Sequence, residues 1–243
     1  MKTSGQSAFL TRMTHLAELS LSDRAALAAL EQNPTQLAKR QTVFAPGSPD
    51  DRIAIIRSGL AITRIMSGSQ TTIAQLFMAG EVVGLSELGF SSALYQTTMQ
   101  TDGTVSLISR KRLGDLARTN PRIFAMLLSM ASLDSVTLLD RLHAVTRYSA
   151  EDRLMHFLLT VQAKTDQVSE QGSDRFPMPL SQKEIGDVLG LTDIYVNRLL
   201  RNLQKRGALE IARPYFRIID KAAWVAQLDY KDRFSAVDFS WAG

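Results

Sequence analysis

Between Gln41 and Arg110 the chain is a succession of short apolar or alternating runs, among them Arg52 to Ile56, Ala61 to Met66, Thr71 to Phe77 and Val105 to Ile108. Seven of the fourteen glycines fall in this interval and punctuate the runs at near-regular spacing. Short β-prone runs separated by turn residues predict a compact all-β unit, sandwich or barrel. Ahead of it, Ser22 to Asn33 has a helical pattern, with Ser22 as the expected cap and Asn33-Pro34 as the stop. Behind it, Asn120 and Pro121 supply an N-cap and the favoured first-turn proline of a segment that runs to about Val145 without glycine or proline.

That segment carries two apolar stripes. Phe124, Ala131, Leu138 and Val145 recur at seven-residue steps, with Leu128, Ser135 and Leu142 four residues after the first three, which is an a/d seam. The seam either packs on its own domain or meets a second copy of the chain. A neighbouring stripe, Ile123, Leu127, Met130 and Leu133, can cover the β-domain while the first meets a partner. Phe124, Leu128, Ala131, Leu138, Leu142 and Val145 are therefore the candidate dimer interface. A helix restarts at Ser149 to Asp152 with a capping-box-like pattern, and Leu154, Phe157, Leu158 and Val161 form its apolar face. The break at Arg147 to Ser149 is the expected hinge between domains. Lys164 to Phe176 is polar and reads as a loop, ended by Pro177 and Pro179.

The stretch from Gln182 to Arg201 fits two short helices held at a fixed angle by a small core. Ile185 and Leu189 lie one turn apart, Gly186 is the small residue where the helices touch, Gly190 makes the turn, and Leu191, Val196 and Leu199 close the core. Ser181 and Thr192 cap the two helices, with Gln182 opening the first, and their first-turn N–H groups are free to face phosphate. The outward face of the second helix is Asp193, Ile194, Asn197, Arg198 and Arg201, with Tyr195 and Asn202 beside it. These groups suit the DNA major groove. Arg198 can bond guanine and Asn197 adenine in bidentate fashion, and Ile194 can touch a thymine methyl. Asp193 either accepts from a cytosine amino group or favours the helix N-terminus electrostatically. Gly207 ends the second helix, and Ala208 to Ala212 with Tyr215 to Ile219 reads as a hairpin, the wing of a winged helix.

Charge and composition sharpen this reading. The formal net charge is +4, and Leu180 to Arg217 alone holds seven basic residues against four acidic ones, so most of the excess sits at this head. The chain has 243 residues, of which 45% are hydrophobic, and no cysteine, which excludes disulfides, a thiolate nucleophile and thiolate-held metal sites. No run approaches the roughly 18 consecutive apolar residues of a membrane span. Ser7 to Ser20 is broken by Thr11, Arg12, Thr14, His15 and Glu18, so a cytoplasmic protein without a membrane partner is expected. No phosphate loop, dinucleotide fingerprint, nucleophile elbow or paired metal histidines occur, and Ser86 lacks elbow spacing, so no enzyme, catalytic residue or metal site is expected.

Taken together these segments resemble the bacterial CRP/FNR family of transcription regulators. The likeness runs from about Leu37 to Asp220, most specifically at Pro179 to Thr192 (PLSQKEIGDVLGLT) and Tyr195 to Leu200 (YVNRLL). It is supported at Phe44 to Gly47, Ile55 to Leu60 and Gly80 to Gly84. The resemblance implies an α+β chain: an N-terminal double-stranded β-roll (jelly-roll-like), a long dimerisation helix and a C-terminal winged helix-turn-helix. The expected bounds are 1–119 for the helices and β-roll, 120–146 for the dimerisation helix, 147–225 for the DNA-binding domain and 226–243 for a tail. It further implies a homodimer on a near-palindromic duplex DNA site and contact with RNA polymerase. The alternative is a ligand-sensing module whose helix-turn-helix serves as a protein-interaction surface.

Departures from the family matter equally. Its commonest recognition helix opens with an Arg-Glu pair, where this chain has Asp193-Ile194, and only the later Arg is kept, as Arg198; a different preferred DNA sequence follows. The iron-sulfur branch needs cysteines, and a haem branch needs a β-domain ligand, whereas the histidines are His15, His143 and His156. The cyclic-nucleotide branch is similar at Gly80-Glu81 and at Glu87 to Gly89 but requires an Arg-Ser pair on the phosphate. From Ile65 through Ser109 there is no Lys, Arg or His, and the family's two base-binding hydroxyls fall on Leu138 and Leu139. No iron-sulfur cluster, haem or cAMP is expected. An apolar small-molecule effector, or none, fits Glu81, Gly84, Glu87, Leu138 and Leu139, the candidate effector pocket.

Overall fold

The computed structural model describes residues 6–169, 174–239 and 241. The chain falls into two compact units, one built from Met1–Ile65, Ala74–Asp134 and Val237–Gly243, the other from Met66–Ile73 and Ser135–Ala236.

The first unit is organised around β3, a strand buried on both faces. Strands β1 (Thr35–Leu37), β2 (Thr42–Phe44), β3 (Arg52–Ser58), β4 (Ala61–Ser67), β5 (Gln70–Phe77), β6 (Val82–Val83), β7 (Gln96–Met99) and β8 (Gly103–Ser109) form two antiparallel sheets, ordered β1-β8-β3-β6 and β2-β7-β4-β5, with only the β4–β5 tip, Met66–Ile73, counted in the second unit. Along β3 successive side chains alternate between faces. Ala54 and Ile56 pack with Ala61, Phe77, Met99 and Val105 in a core between the sheets. Ile53 and Ile55 instead join Phe9, Met13, Leu27, Leu30, Ile108, Leu113 and Leu116 in a second core. That core is completed by α1 (Ala8–Leu16), α2 (Leu21–Leu30), α3 (Arg110–Thr119) and the start of α4 (Pro121–Arg147), and this double burial is why β3 reads as one unbroken apolar run.

Helix α2 starts two residues earlier than its pattern suggests. Its cap is Ser20, not Ser22: the Ser20 hydroxyl accepts the Asp23 N–H at 3.1 Å, and the Asp23 carboxylate accepts the Ser20 N–H at 3.0 Å. The exposed Leu21 hides this box from the periodicity. Helix α1 has no counterpart in the sequence reading. Ser7 caps it, Phe9 and Met13 are fully buried, and Arg12 is 4% exposed beside Glu81, 3.9 Å away, with a second bond to the Ala79 carbonyl at 3.3 Å. Gly80 lies under the helix with φ +84°, and a Cβ there would stand 2.6 Å from the Ala8 carbonyl. Burial pushes the Arg12 guanidinium below its ordinary range, and Glu81 and Asp134 oppose that shift.

Helix α4 spans both units. Ile123, Met126, Leu127 and Met130 belong to the first unit's helical core. By length and composition alone α4 would also pass as a membrane span. Its later half is instead tied by polar groups to the second unit: Arg141 donates to the Val188 carbonyl, and Asp140 accepts from Arg233 Nε and Nη2 at 2.7 and 2.9 Å.

The second unit continues with α5 (Ala150–Asp166), β9 (Arg175–Pro177), α6 (Gln182–Leu189), α7 (Asp193–Lys205), β10 (Leu209–Ala212), β11 (Tyr215–Ile218) and α8 (Lys221–Leu228). Three sequence expectations change here. The polar loop begins later, because α5 keeps Lys164 and Thr165 buried through Asp166; residues 170–173 of that loop lie outside the described residues. The wing is a three-stranded sheet, β10-β11-β9, since Phe176 pairs with Phe216. The expected hinge at Arg147 to Ser149 lies inside the unit and is bridged by Arg153, which donates to the carbonyls of Val145 and Leu189 at 3.1 and 2.8 Å. The division between units falls at Asp134 and Ser135 instead.

The segment read as a tail is packed. Leu228, Tyr230 and Phe234 are buried in the second unit, and Phe239, its ring tilted against that of Trp241, joins the first unit's core. His143, Tyr148, His156 and Tyr230 form a chain of edge-on ring contacts with centroids 5.3 to 5.9 Å apart.

Two predictions follow from buried charge. Arg12→Met leaves Glu81 without its cation and is expected to cost about 3 kcal/mol, most of it recovered by adding Glu81→Gln, as read by urea unfolding. His156 is held below its ordinary value near 6.5 by burial first, with His143 and Arg233 adding and Asp140 opposing. The unfolded chain therefore binds the extra proton, so stability is full above pH of about 6.5 and falls as the pH drops below it. His156→Phe should flatten that slope between pH 7 and 5 in denaturant titrations.

Candidate nucleic-acid interface

The head is held together by a small apolar core between two helices. At the start of α6 the Ser181 hydroxyl accepts the Glu184 N–H, and the Glu184 carboxylate accepts the Ser181 N–H at 2.8 Å. Ile185, Val188 and Leu189 of α6 and Val196, Leu199, Leu200 and Leu203 of α7 are all buried. A Cβ at Gly186 would overlap the Leu191 carbonyl, so the helices can approach this closely only over glycine. Gly190 closes α6 at φ +68°, a left-handed turn that side chains rarely adopt. Thr192 then caps α7, its hydroxyl accepting the Tyr195 N–H at 3.3 Å.

With four residues of α7 turned inward, its far side consists of Ile194, Arg198, Arg201 and Lys205, all exposed. Ile194, Asn197, Arg198, Arg201 and Asn202 line a shallow groove of about 340 Å³. Most other cations of the head are occupied. Lys183 pairs with Asp187 at 3.0 Å, Arg206 with Glu151 at 2.6 Å, and Arg217 with Asp174 at 2.5 Å. Arg213 donates to the Leu180 carbonyl at 3.2 Å. Among the described residues no carboxylate pairs with Arg198, Arg201 or Lys205, so the uncompensated charge of the head is concentrated on one side of one helix. Lys205 is a residue the sequence reading counted only as charge; its place eleven positions after Ile194 brings it onto the same face.

The flanking side chains are pre-arranged. The Arg198 guanidinium lies 4.4 Å from the centre of the Tyr195 ring, a cation–π contact that restricts it before any ligand arrives. Asn197 donates from Nδ2 to Gln182 Oε1 at 3.0 Å, coupling the two helices. Asp193 Oδ1 accepts the Ile194 N–H at 2.8 Å, a local bond at the start of the helix.

On α4, Leu128, Leu138, Leu142 and Val145 of the expected seam are exposed, while Phe124 and Ala131 are half-buried, Ala131 against the first unit's core. The exposed stripe is consequently rotated, and centred on Leu128 (55% exposed), Ser135, Leu139 (64%) and Leu142. Leu139, assigned from sequence to an effector pocket, stands in this stripe.

Leu138 is likewise exposed on α4, apart from Glu81, Gly84 and Glu87, which lie in the first unit. Glu81 accepts the Met78 N–H at 2.7 Å in addition to its pairing with Arg12. Glu87 accepts the Leu94 N–H at 2.7 Å, following the turn at Gly84 (φ +94°). Arg110, the first residue after the cation-free stretch, donates to the carbonyls of Glu87, Leu88 and Phe90. Cations thus reach this region from either side of the stretch, and both bond protein groups through their Nη atoms.

Comparison with known proteins matches both halves. Residues 34–120 match the model of the cyclic nucleotide-binding domain, and residues 152–223 that of the Crp-like helix-turn-helix domain. The chain is 28% identical to the transcriptional activator protein FnrA of Stutzerimonas stutzeri over 207 residues, covering 83% of each. It is likewise 28% identical over 199 residues to the fumarate and nitrate reduction regulatory protein of Shigella dysenteriae, covering 79% of this chain and 76% of that one. Among solved structures, FixK2 from Bradyrhizobium japonicum shares the fold with a TM-score of 0.72 at 20% identity, over 82% of this chain and 98% of that chain. With a β-roll, a long connecting helix and a winged helix-turn-helix in that order, the chain belongs to the CRP/FNR family of DNA-binding transcription regulators, a family of regulators and not of enzymes.

Proposed function

We propose that this protein regulates transcription in the cytoplasm by binding a near-palindromic DNA site as a homodimer, with α7 of each copy in the major groove. The observation that carries this reading is the outward face of α7, where Ile194, Arg198, Arg201 and Lys205 stand exposed and the three cations lack carboxylate partners among the described residues. Such a face supplies phosphate neutralisation together with groups that read base edges. Dimerisation is supported by the exposed apolar stripe of α4, which in a lone chain would leave Leu128, Leu139 and Leu142 in water. Contact with RNA polymerase belongs to the same proposal and rests on the family.

The proposal includes no cyclic nucleotide. A bound phosphate needs a cation, and the two that reach this region, Arg12 and Arg110, already bond Glu81 and backbone carbonyls, which supports a reading without that ligand. A thiolate-held cluster has no cysteine to hold it, and none of the three histidines lies in the β-strands of the first unit. An apolar effector, or none, remains the reading.

Selection of bound sequences from random duplex should return an inverted motif, and affinity for it should fall steeply with salt. Arg198→Ala is expected to cost about 1 to 3 kcal/mol and to relax preference at one base step per half-site. Selection without any enriched motif would favour a protein-interaction role for the head instead. Leu142→Glu places charge in the α4 stripe and should yield a monomer by light scattering, with loss of tight binding to the full site and residual binding to a half-site.

A further inference from the structure

In the first turn of α7 Asp193 Oδ1 accepts the Ile194 N–H, and the large side chain next to it is apolar. Ile194 is 80% exposed, more than any other large apolar side chain of the head, at a position where burial in the free protein is absent and a charged residue would cost nothing. One turn further on, Arg198 is held on the Tyr195 ring, and both side chains line the same shallow groove. In the major groove a thymine offers one apolar group, its 5-methyl, and an isoleucine can gain only from that.

We infer that Ile194 is a specificity-determining residue that reads a pyrimidine 5-methyl group, a thymine in each half-site within about two base pairs of the guanine bonded by Arg198. The spacing follows from the helix: four residues rise about 6 Å, against about 3.4 Å between successive nucleotides of a strand. The inference rests on the DNA-binding reading above and deepens it. It also makes the protein sensitive to a chemical mark, since 5-methylcytosine carries the same methyl group and cytosine does not.

The test uses the full chain and the duplex obtained by selection, with each thymine replaced singly by uracil, a change that removes only the methyl. At one position per half-site, uracil should weaken binding by about three- to fivefold, the value of one buried methyl. Ile194→Ala should bind the thymine duplex at that weakened level and be indifferent to uracil, whereas Ile194→Val should keep part of the discrimination. At the same position, 5-methylcytosine paired with guanine should bind wild type more tightly than cytosine does, and Ile194→Ala should not distinguish the two. Wild type that tolerates uracil at every thymine overturns this inference while leaving the head's DNA binding intact, provided Arg198→Ala still relaxes the motif. A selection that returns no motif overturns both.

Discussion

The reading head depends on how closely α6 and α7 approach at Gly186. Two helices of 8 and 13 residues are too short to be stable alone, so their geometry must come from contact. Removing the side chain at Gly186 lets the Leu191 carbonyl come to van der Waals range, and the left-handed Gly190 turns the chain within one residue. That approach brings Val196, Leu199 and Leu203 onto Ile185 and Leu189 as one buried layer. The exposed face of α7 is the complement of this layer, so the position of Arg198 is a consequence of packing on the other side of the helix. A methyl group at Gly186 would displace every side chain on the outward face of α7 without touching one.

In the first unit the comparable constraint is a buried charge. Arg12 and Glu81 are 4% and 6% exposed, a placement that is costly unless each satisfies the other and nearby backbone. The Met78 N–H and the Ala79 carbonyl complete that arrangement, and Gly80 admits the α1 backbone over them. Helix α1 is thereby part of the β-roll's core rather than an appendage to it. Glu81, in the region that resembles a ligand site in sequence, is thus bonded within the chain to Arg12 and the Met78 N–H.

Sequence carried the fold well where a local rule sets the structure. The caps at Ser181 and Thr192, the turn at Gly190, the hairpin after Gly207 and the run of α4 from Pro121 were all legible because each depends on neighbours within a few residues. It failed where the cause was remote. Absence of cations from Ile65 to Ser109 correctly described the segment but missed Arg12, which arrives from about seventy residues away. Ser20 was hidden behind an exposed leucine, and the packing of Tyr230, Phe234 and Phe239 gave no periodic pattern to find. In the head, the outward face was visible in the sequence, yet the self-bonding of Asp193 and the stacking of Arg198 on Tyr195 are rotamer choices that only the assembled helix makes. The apolar stripe that α4 leaves exposed is offset by one position from the one its periodicity marks, because periodicity defines a stripe but its centre depends on which residues the protein's own core takes first.

The closing stretch of chain has a practical consequence. After α8 it supplies Tyr230 and Phe234 to the second unit and then Phe239 and Trp241 to the first, and the two tryptophans are divided in the same way. Trp224 is enclosed in the second unit at 4% exposure, whereas Trp241 belongs to the first at 62%. Each compact unit therefore carries its own intrinsic fluorophore, one shielded and one open to a collisional quencher. Emission from the unlabelled protein can be resolved into the two components by iodide, so that melting of one half can be followed independently of the other.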